Sequence, residues 1–230
     1  MLRIDRTVQA CLCAVVLLSI AVSAQAEYEA SVQNARVTGN SNAWYVQYHF
    51  GFASDADFGP SLLLLVDQSQ ERSTLHSISV GKQLSDSFYG RDLDVSVHVG
   101  LQYFDERNFQ SDIVGTTAYW RLSKHTTFPF TNIPIKVSLA QGLSYVDDIP
   151  AAEVRDFDPD QSSELTHYLE YGFHYSFRNS LANRRTGLSQ WFKDINVGYS
   201  IFHRSSFFGL FADKPGGINF PGIAVEFVLR

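Results

Sequence analysis

The stretch "LDVSVHVGLQY" (93–103) alternates without a break. Leu93, Val95, Val97, Val99, Leu101 and Tyr103 share one face of an extended chain. Asp94, Ser96, His98, Gly100 and Gln102 share the other. Successive side chains of a strand point to opposite sides, so this is a β-strand with one apolar face and one polar or small face. "AWYVQYHFGF" (43–52) repeats the pattern, with Trp44, Val46, Tyr48, Phe50 and Phe52 against Gln47, His49 and Gly51. "ELTHYLEYGFHYSF" (164–177) sets Leu165, Leu169, Tyr171, Phe173, Tyr175 and Phe177 against Thr166, Glu170, Gly172, His174 and Ser176. "VGTTAYWRL" (114–122), "IPIKVSLAQGLSY" (133–145) and "GIAVEFVLR" (222–230) follow the same rule less cleanly.

Ten candidate strands emerge: 28–38, 43–53, 59–67, 73–83, 92–104, 112–123, 133–145, 165–177, 193–205 and 218–229, the first and third being the weakest. Most are long enough to cross a bilayer at a tilt. A face bearing Asp, Glu, His and Lys would be costly in a sandwich core but suits the lumen of a small barrel. The expected fold is all-β: a transmembrane antiparallel β-barrel of 8 or 10 strands, in the bacterial outer membrane. The competing reading is a secreted soluble β-sandwich or barrel with the apolar faces inside.

The N-terminus agrees with export. "MLRIDR" carries two arginines, "VQACLCAVVLLSIAV" is apolar, and "SAQA" has the small-residue pattern of a cleavage site. Residues 1–26 therefore read as a signal peptide and 27–230 as the barrel. Both cysteines, Cys11 and Cys13, fall in the signal, so the mature chain is expected to have no disulfide and no thiolate metal site. Loss of Arg3, Arg6 and Asp5 leaves 16 of 18 basic and 23 of 24 acidic residues, a net charge of −7. That balance gives no basic stripe and argues against nucleic acid.

Three connections are long. "DDIPAAEVRDFDPDQSSE" (147–164) is acidic, "RNSLANRRTGLSQW" (178–191) is basic, and "SFFGLFADKPGGI" (206–218) joins the last two strands. With an even strand number and both termini periplasmic, the first and third are extracellular and the second periplasmic.

His49, His98 and His174 fall on expected lumen faces, and His76 and His167 on the other. None of these five pairs at a zinc-motif spacing, so they read as hydrogen-bonding groups and no metal is expected. Asp94, Glu170, Lys136, Arg121 and Arg204 are expected to form one charged lumen network, which favours a plugged barrel over a pore. Trp44, Trp120 and Trp191 read as interfacial anchors.

One strand stands apart. In "DINVGYSIFHRSS" (194–206), Ile195, Val197, Tyr199 and Ile201 occupy the odd, lipid-facing side, and His203 and Ser205 continue it. Phe202 and Arg204 point inward. Two residues apart on one face, an imidazole and a hydroxyl are about 7 Å apart at Cβ, within reach of each other. A plain interfacial pair would look the same.

"HRSS", the loop "GLFADKPGGIN" and the final strand resemble the outer-membrane lipid A deacylases of the acyloxyacyl hydrolase family, over roughly the last 30 residues. Those are small barrels with a His-x-Ser-Asn motif and a later Glu, forming a lipid-facing triad that cleaves an ester-linked acyl chain of lipid A without metal or other cofactor. The resemblance implies Ser205 as nucleophile, His203 as general base, Ser206 at the oxyanion position, and lipid A or lipopolysaccharide of the outer leaflet as partner. Two positions depart from it. Ser206 replaces the Asn. No Glu opens the last strand, where Asn219 has the right parity to orient the imidazole through its amide oxygen. Asp213 is the other candidate, while Glu226 points into the lumen. The departures keep a rival open, a non-catalytic barrel with a structural or lipid- or partner-binding role.

Overall fold

The computed structural model describes residues 43–107, 109–129, 131, 133–156, 163–177, 192–205 and 217–229. Eight strands follow one another: β1 (Trp44–Phe52), β2 (Thr74–Ser85), β3 (Asp94–Asp105), β4 (Ile113–Thr127), β5 (Pro134–Val146), β6 (Leu165–Ser176), β7 (Phe192–Ser205) and β8 (Gly217–Leu229). Each pairs antiparallel with the next, and β8 returns to β1, closing the barrel. Closure leaves no unpaired strand edge, the condition for crossing a bilayer with strands.

Of the ten expected strands, eight are these. Residues 28–38 lie outside the described residues. The expectation for 59–67 is corrected: this segment begins as the short helix α1 (Phe58–Leu62). Pro60 has no N–H to give a ladder but fits the first turn of a helix, where Ser61 N–H bonds to Asp57 O at 3.1 Å. The following Leu64 takes a positive φ of 61°, which ends any extended path.

The alternation in β3 is inverted relative to a soluble protein. Val99 is 65% and Leu101 60% exposed, while His98 and Gln102 are buried. Ile78, Val80, Val114, Leu139, Leu143 and Ile223 are exposed in the same way around the wall. So continuous an apolar belt belongs against lipid, and the soluble sandwich reading falls with it.

The lumen is filled. Arg121 Nη1 donates to Glu226 Oε2 at 2.7 Å, and its Nη2 to Glu170 Oε1 at 3.3 Å. Lys136 pairs with the other Glu226 oxygen, which also accepts from Asn196 Nδ2 at 2.8 Å. Gln47 and the Tyr168 hydroxyl complete Glu170. Arg121, Lys136, Glu170 and Glu226 thus each face an opposite charge, without which their burial would be costly. His98 stacks on Tyr119, ring centroids 4.9 Å apart, in space that Gly81 vacates: a Cβ there would stand 2.2 Å from the imidazole.

The charged network expected from the sequence is corrected for Arg204. Asp94 accepts from Gln83 Nε2 at 2.9 Å. Arg204 instead reaches Glu153 Oε2 at 3.2 Å, Ser144 Oγ at 3.0 Å and Ser163 O at 3.2 Å. Arg204 lies near the end of β7 and pairs there instead of with Glu170 or Glu226.

The mouth that carries residues 53–73, 109–112 and 147–156 is capped. Below it Leu75, Phe104, Ile113, Phe202 and Phe220 form an apolar plug that includes Ala152 of α2 (Ala151–Asp156). Glu106 Oε2 accepts from Ala151 N at 3.0 Å and Ser73 Oγ at 3.1 Å. Arg155 bridges Glu71 at 2.7 Å and Asp55 at 2.6 Å. The 178–191 connection and Trp191 lie outside the described residues.

Candidate functional site

Phe202 and Arg204 are buried in the lumen, so parity sends His203 and Ser205 to the outer wall, at the capped end of β7. Arg204 fixes that parity, because its three lumen hydrogen bonds tether the residue between them.

In the β7–β8 register His203 stands opposite Asn219 and Ser205 opposite Gly217. His203 Nδ1 is 2.8 Å from Asn219 Oδ1. The amide is held the right way round, because Asn219 Nδ2 donates to Ala56 O at 2.8 Å. His203 Nδ1 therefore carries the proton and donates it, leaving a lone pair on Nε2. This is how a third group orients a general base.

Space for the imidazole comes from Gly217. A Cβ at that position would lie 2.7 Å from His203 Cε1 and 2.3 Å from Arg204 O. Only glycine leaves the ring where it is.

The first connection folds down over this patch. The Phe58 ring lies 5.2 Å from the His203 imidazole, and Tyr199 OH donates to Ser61 O at 2.8 Å. Ser54 N donates to Asn219 O at 2.9 Å. Ile201 faces outward by parity yet is fully buried, beneath this cover. Leu63, Leu64 and Leu65 beside it are exposed.

On its other side Ser205 stands opposite His167 of β6, and His203 opposite Leu169. Among the described residues no hydrogen bond joins Ser205 Oγ to His203. Ser206 and Asp213, the other sequence candidates, lie outside the described residues. Glu226 is buried in the lumen with Arg121 and Lys136, as its parity predicts. Among the described residues, no group of three or more His, Cys, Asp or Glu is placed to hold a metal ion.

Sequence reasoning brought together His203, Ser205 and Asn219. It missed Phe58 and the Ala56 carbonyl, which the apolar run "SLLLLV" (61–66) hinted at, and it did not associate His167 with Ser205. That association needs the strand register.

No protein-family model matches the sequence, and no curated protein matches it. The fold is similar to the crystal structure of the outer membrane enzyme PagL, with a TM-score of 0.52 and 11% sequence identity, over 79% of this chain and 97% of that one.

Proposed function

We propose that this chain is an exported outer-membrane barrel that hydrolyses an ester-linked acyl chain of lipid A from the outer leaflet, with Ser205 as nucleophile, His203 as general base and Asn219 as the residue that orients it. The observation that carries the reading is the His203–Asn219 contact, with its tautomer fixed by Ala56, on a lipid-facing wall. The imidazole packs on Phe58, and Asn219 orients it beside the Ser205 hydroxyl. The likeness to an outer membrane enzyme supports the location. The mature chain begins after residue 26 and the capped mouth faces outward, at the level of the outer leaflet.

His203 Nε2 takes the Ser205 proton as Oγ attacks the ester carbonyl carbon. The carbonyl π electrons move to oxygen. Collapse expels the sugar or acyl-chain alkoxide, which receives the proton from His203. Water, deprotonated by the same nitrogen, then attacks the acyl carbon, and the fatty acid leaves as Ser205 Oγ takes that proton back from His203. Ser206, next along the chain, is suited to donate to the oxyanion. Nothing in this sequence of steps calls for a metal or cofactor.

A second reading has its own observation. Asn219 orients the imidazole but does not offset the charge of an imidazolium as a carboxylate does, which suits a non-catalytic lipid-binding barrel of the same fold. Mass spectrometry of lipid A from cells expressing the native chain or Ser205→Ala separates the two. Loss of one acyl chain with the native protein alone supports the hydrolase. Unchanged lipid A with folded protein in the outer membrane overturns it.

A further inference from the structure

The outer wall around Ser205 is a grid of cross-strand rows. One row runs Leu143, His167, Ser205, Gly217 across β5 to β8, and the next runs Gln141, Leu169, His203, Asn219. Directly opposed residues have Cβ atoms about 4.5–5.5 Å apart, closer than the about 7 Å between neighbours on one face of a strand. Ser205 is thus flanked by two imidazoles: His203 along its own strand and His167 across the ladder, the nearer by backbone position.

His167 faces outward, because its neighbours Thr166 and Tyr168 are buried and Tyr168 meets Glu170 in the lumen. It is nevertheless only 7% exposed. Around the two imidazoles the wall is apolar: Leu143 and Leu165 are exposed on the β5–β6 side, where an acyl chain finds matching surface.

Two histidines at one serine have different equipment. A general base needs its far nitrogen oriented, and Asn219 does this for His203. The negative charge that develops on the carbonyl oxygen needs a donor about 3 Å away, and a neutral imidazole N–H serves as such an electrophile. We propose that His167 is a second catalytic histidine, donating a hydrogen bond from its ring N–H to the oxyanion that forms when Ser205 attacks an acyl ester. This rests on the hydrolase reading above. His167 forms no bond and exchanges no proton. It accepts the developing charge as Ser205 Oγ binds the carbon and releases it as the alkoxide leaves.

The test uses the full mature protein in detergent with lipid A in mixed micelles, measuring fatty acid released. Barrel folding is checked for every variant by heat-modifiable mobility on gels. His167→Leu and His167→Met lack the donor and differ in shape, which guards against one failing to fold. His167→Gln keeps an N–H at similar reach. The expected result is a fall in kcat of about 10²-fold for Leu and Met, with KM within about threefold, and recovery of most of that loss in Gln. A donor-less variant that folds and keeps kcat within about threefold of native overturns the inference alone. An active His203→Leu beside an inactive His167→Gln shows that His167 is the base, and also overturns it. A native protein that folds and leaves lipid A intact overturns the hydrolase reading and this inference together.

Discussion

Asn219 and His203 are a register pair of β7 and β8 whose side chains meet at 2.8 Å, and a loop carbonyl from the start of the chain holds the amide in place. On the hydrolase reading, replacing the amide changes His203 in a directed way. Asn219→Leu removes the acceptor, frees the tautomer and is expected to lower kcat at least about tenfold. Asn219→Asp supplies a carboxylate to stabilise the imidazolium and is expected to raise kcat by about tenfold or more, since triad carboxylates are worth far more than that in other hydrolases. Fatty-acid release by the two purified variants checks both directions.

Gly217→Ala is expected to cost activity while leaving the barrel closed. The new methyl group meets His203 Cε1 at 2.7 Å and Arg204 O at 2.3 Å, so the ring swings off Asn219 or the strand end shifts. A kcat reduced more than about tenfold with unchanged heat-modifiable mobility is the expected outcome.

Arg204 and Glu153 form a buried pair between β7 and α2. Arg204→Met leaves Glu153 buried and unpaired and is expected to destabilise the mouth by about 3–5 kcal/mol. Arg204→Met combined with Glu153→Gln is expected to recover most of that loss. Urea midpoints of the two variants measure the difference. Because Arg204 sits between His203 and Ser205, the single variant is also expected to lose hydrolysis.

Glu106 gives the mouth a pH dependence. Burial raises its pKa above the ordinary 4.5, and the hydrogen bonds from Ala151 and Ser73 pull it only part of the way back. Between the two pKa values the folded state holds more protons than the unfolded one, so stability falls as pH rises. Below pH 4.5 the group is protonated in both states and the penalty is absent. Protection of the Ala151 amide, corrected for intrinsic exchange, is expected to fall as pH rises above that value. Glu106→Gln is expected to remove the trend.

The barrel was legible because each strand carries its environment in a period of two. In β3 the apolar face, Val97 to Tyr103, is the exposed one, as the polar partners on the other face predict. Parity also located His203, Ser205 and Asn219, since it survives any error in strand ends. What parity does not carry is register. His167 and Ser205 are 38 positions apart in sequence, and only the β6–β7 ladder makes them opposite. Residues 59–67 misled for a related reason. A short apolar run reads alike as a strand or as a helical turn packed on a greasy wall, and Pro60 was the arbiter.

The helix α1 and its leucines occupy a place on the wall that would otherwise belong to a lipid. Molecules in a leaflet arrive by lateral diffusion, and here one flank is already taken by the chain itself. On the hydrolase reading, α1 closes one flank of Ser205, and an ester group is expected to come in over β5 and β6 with its tail trailing away from α1. The fold sets a handedness on the encounter before any chemistry begins.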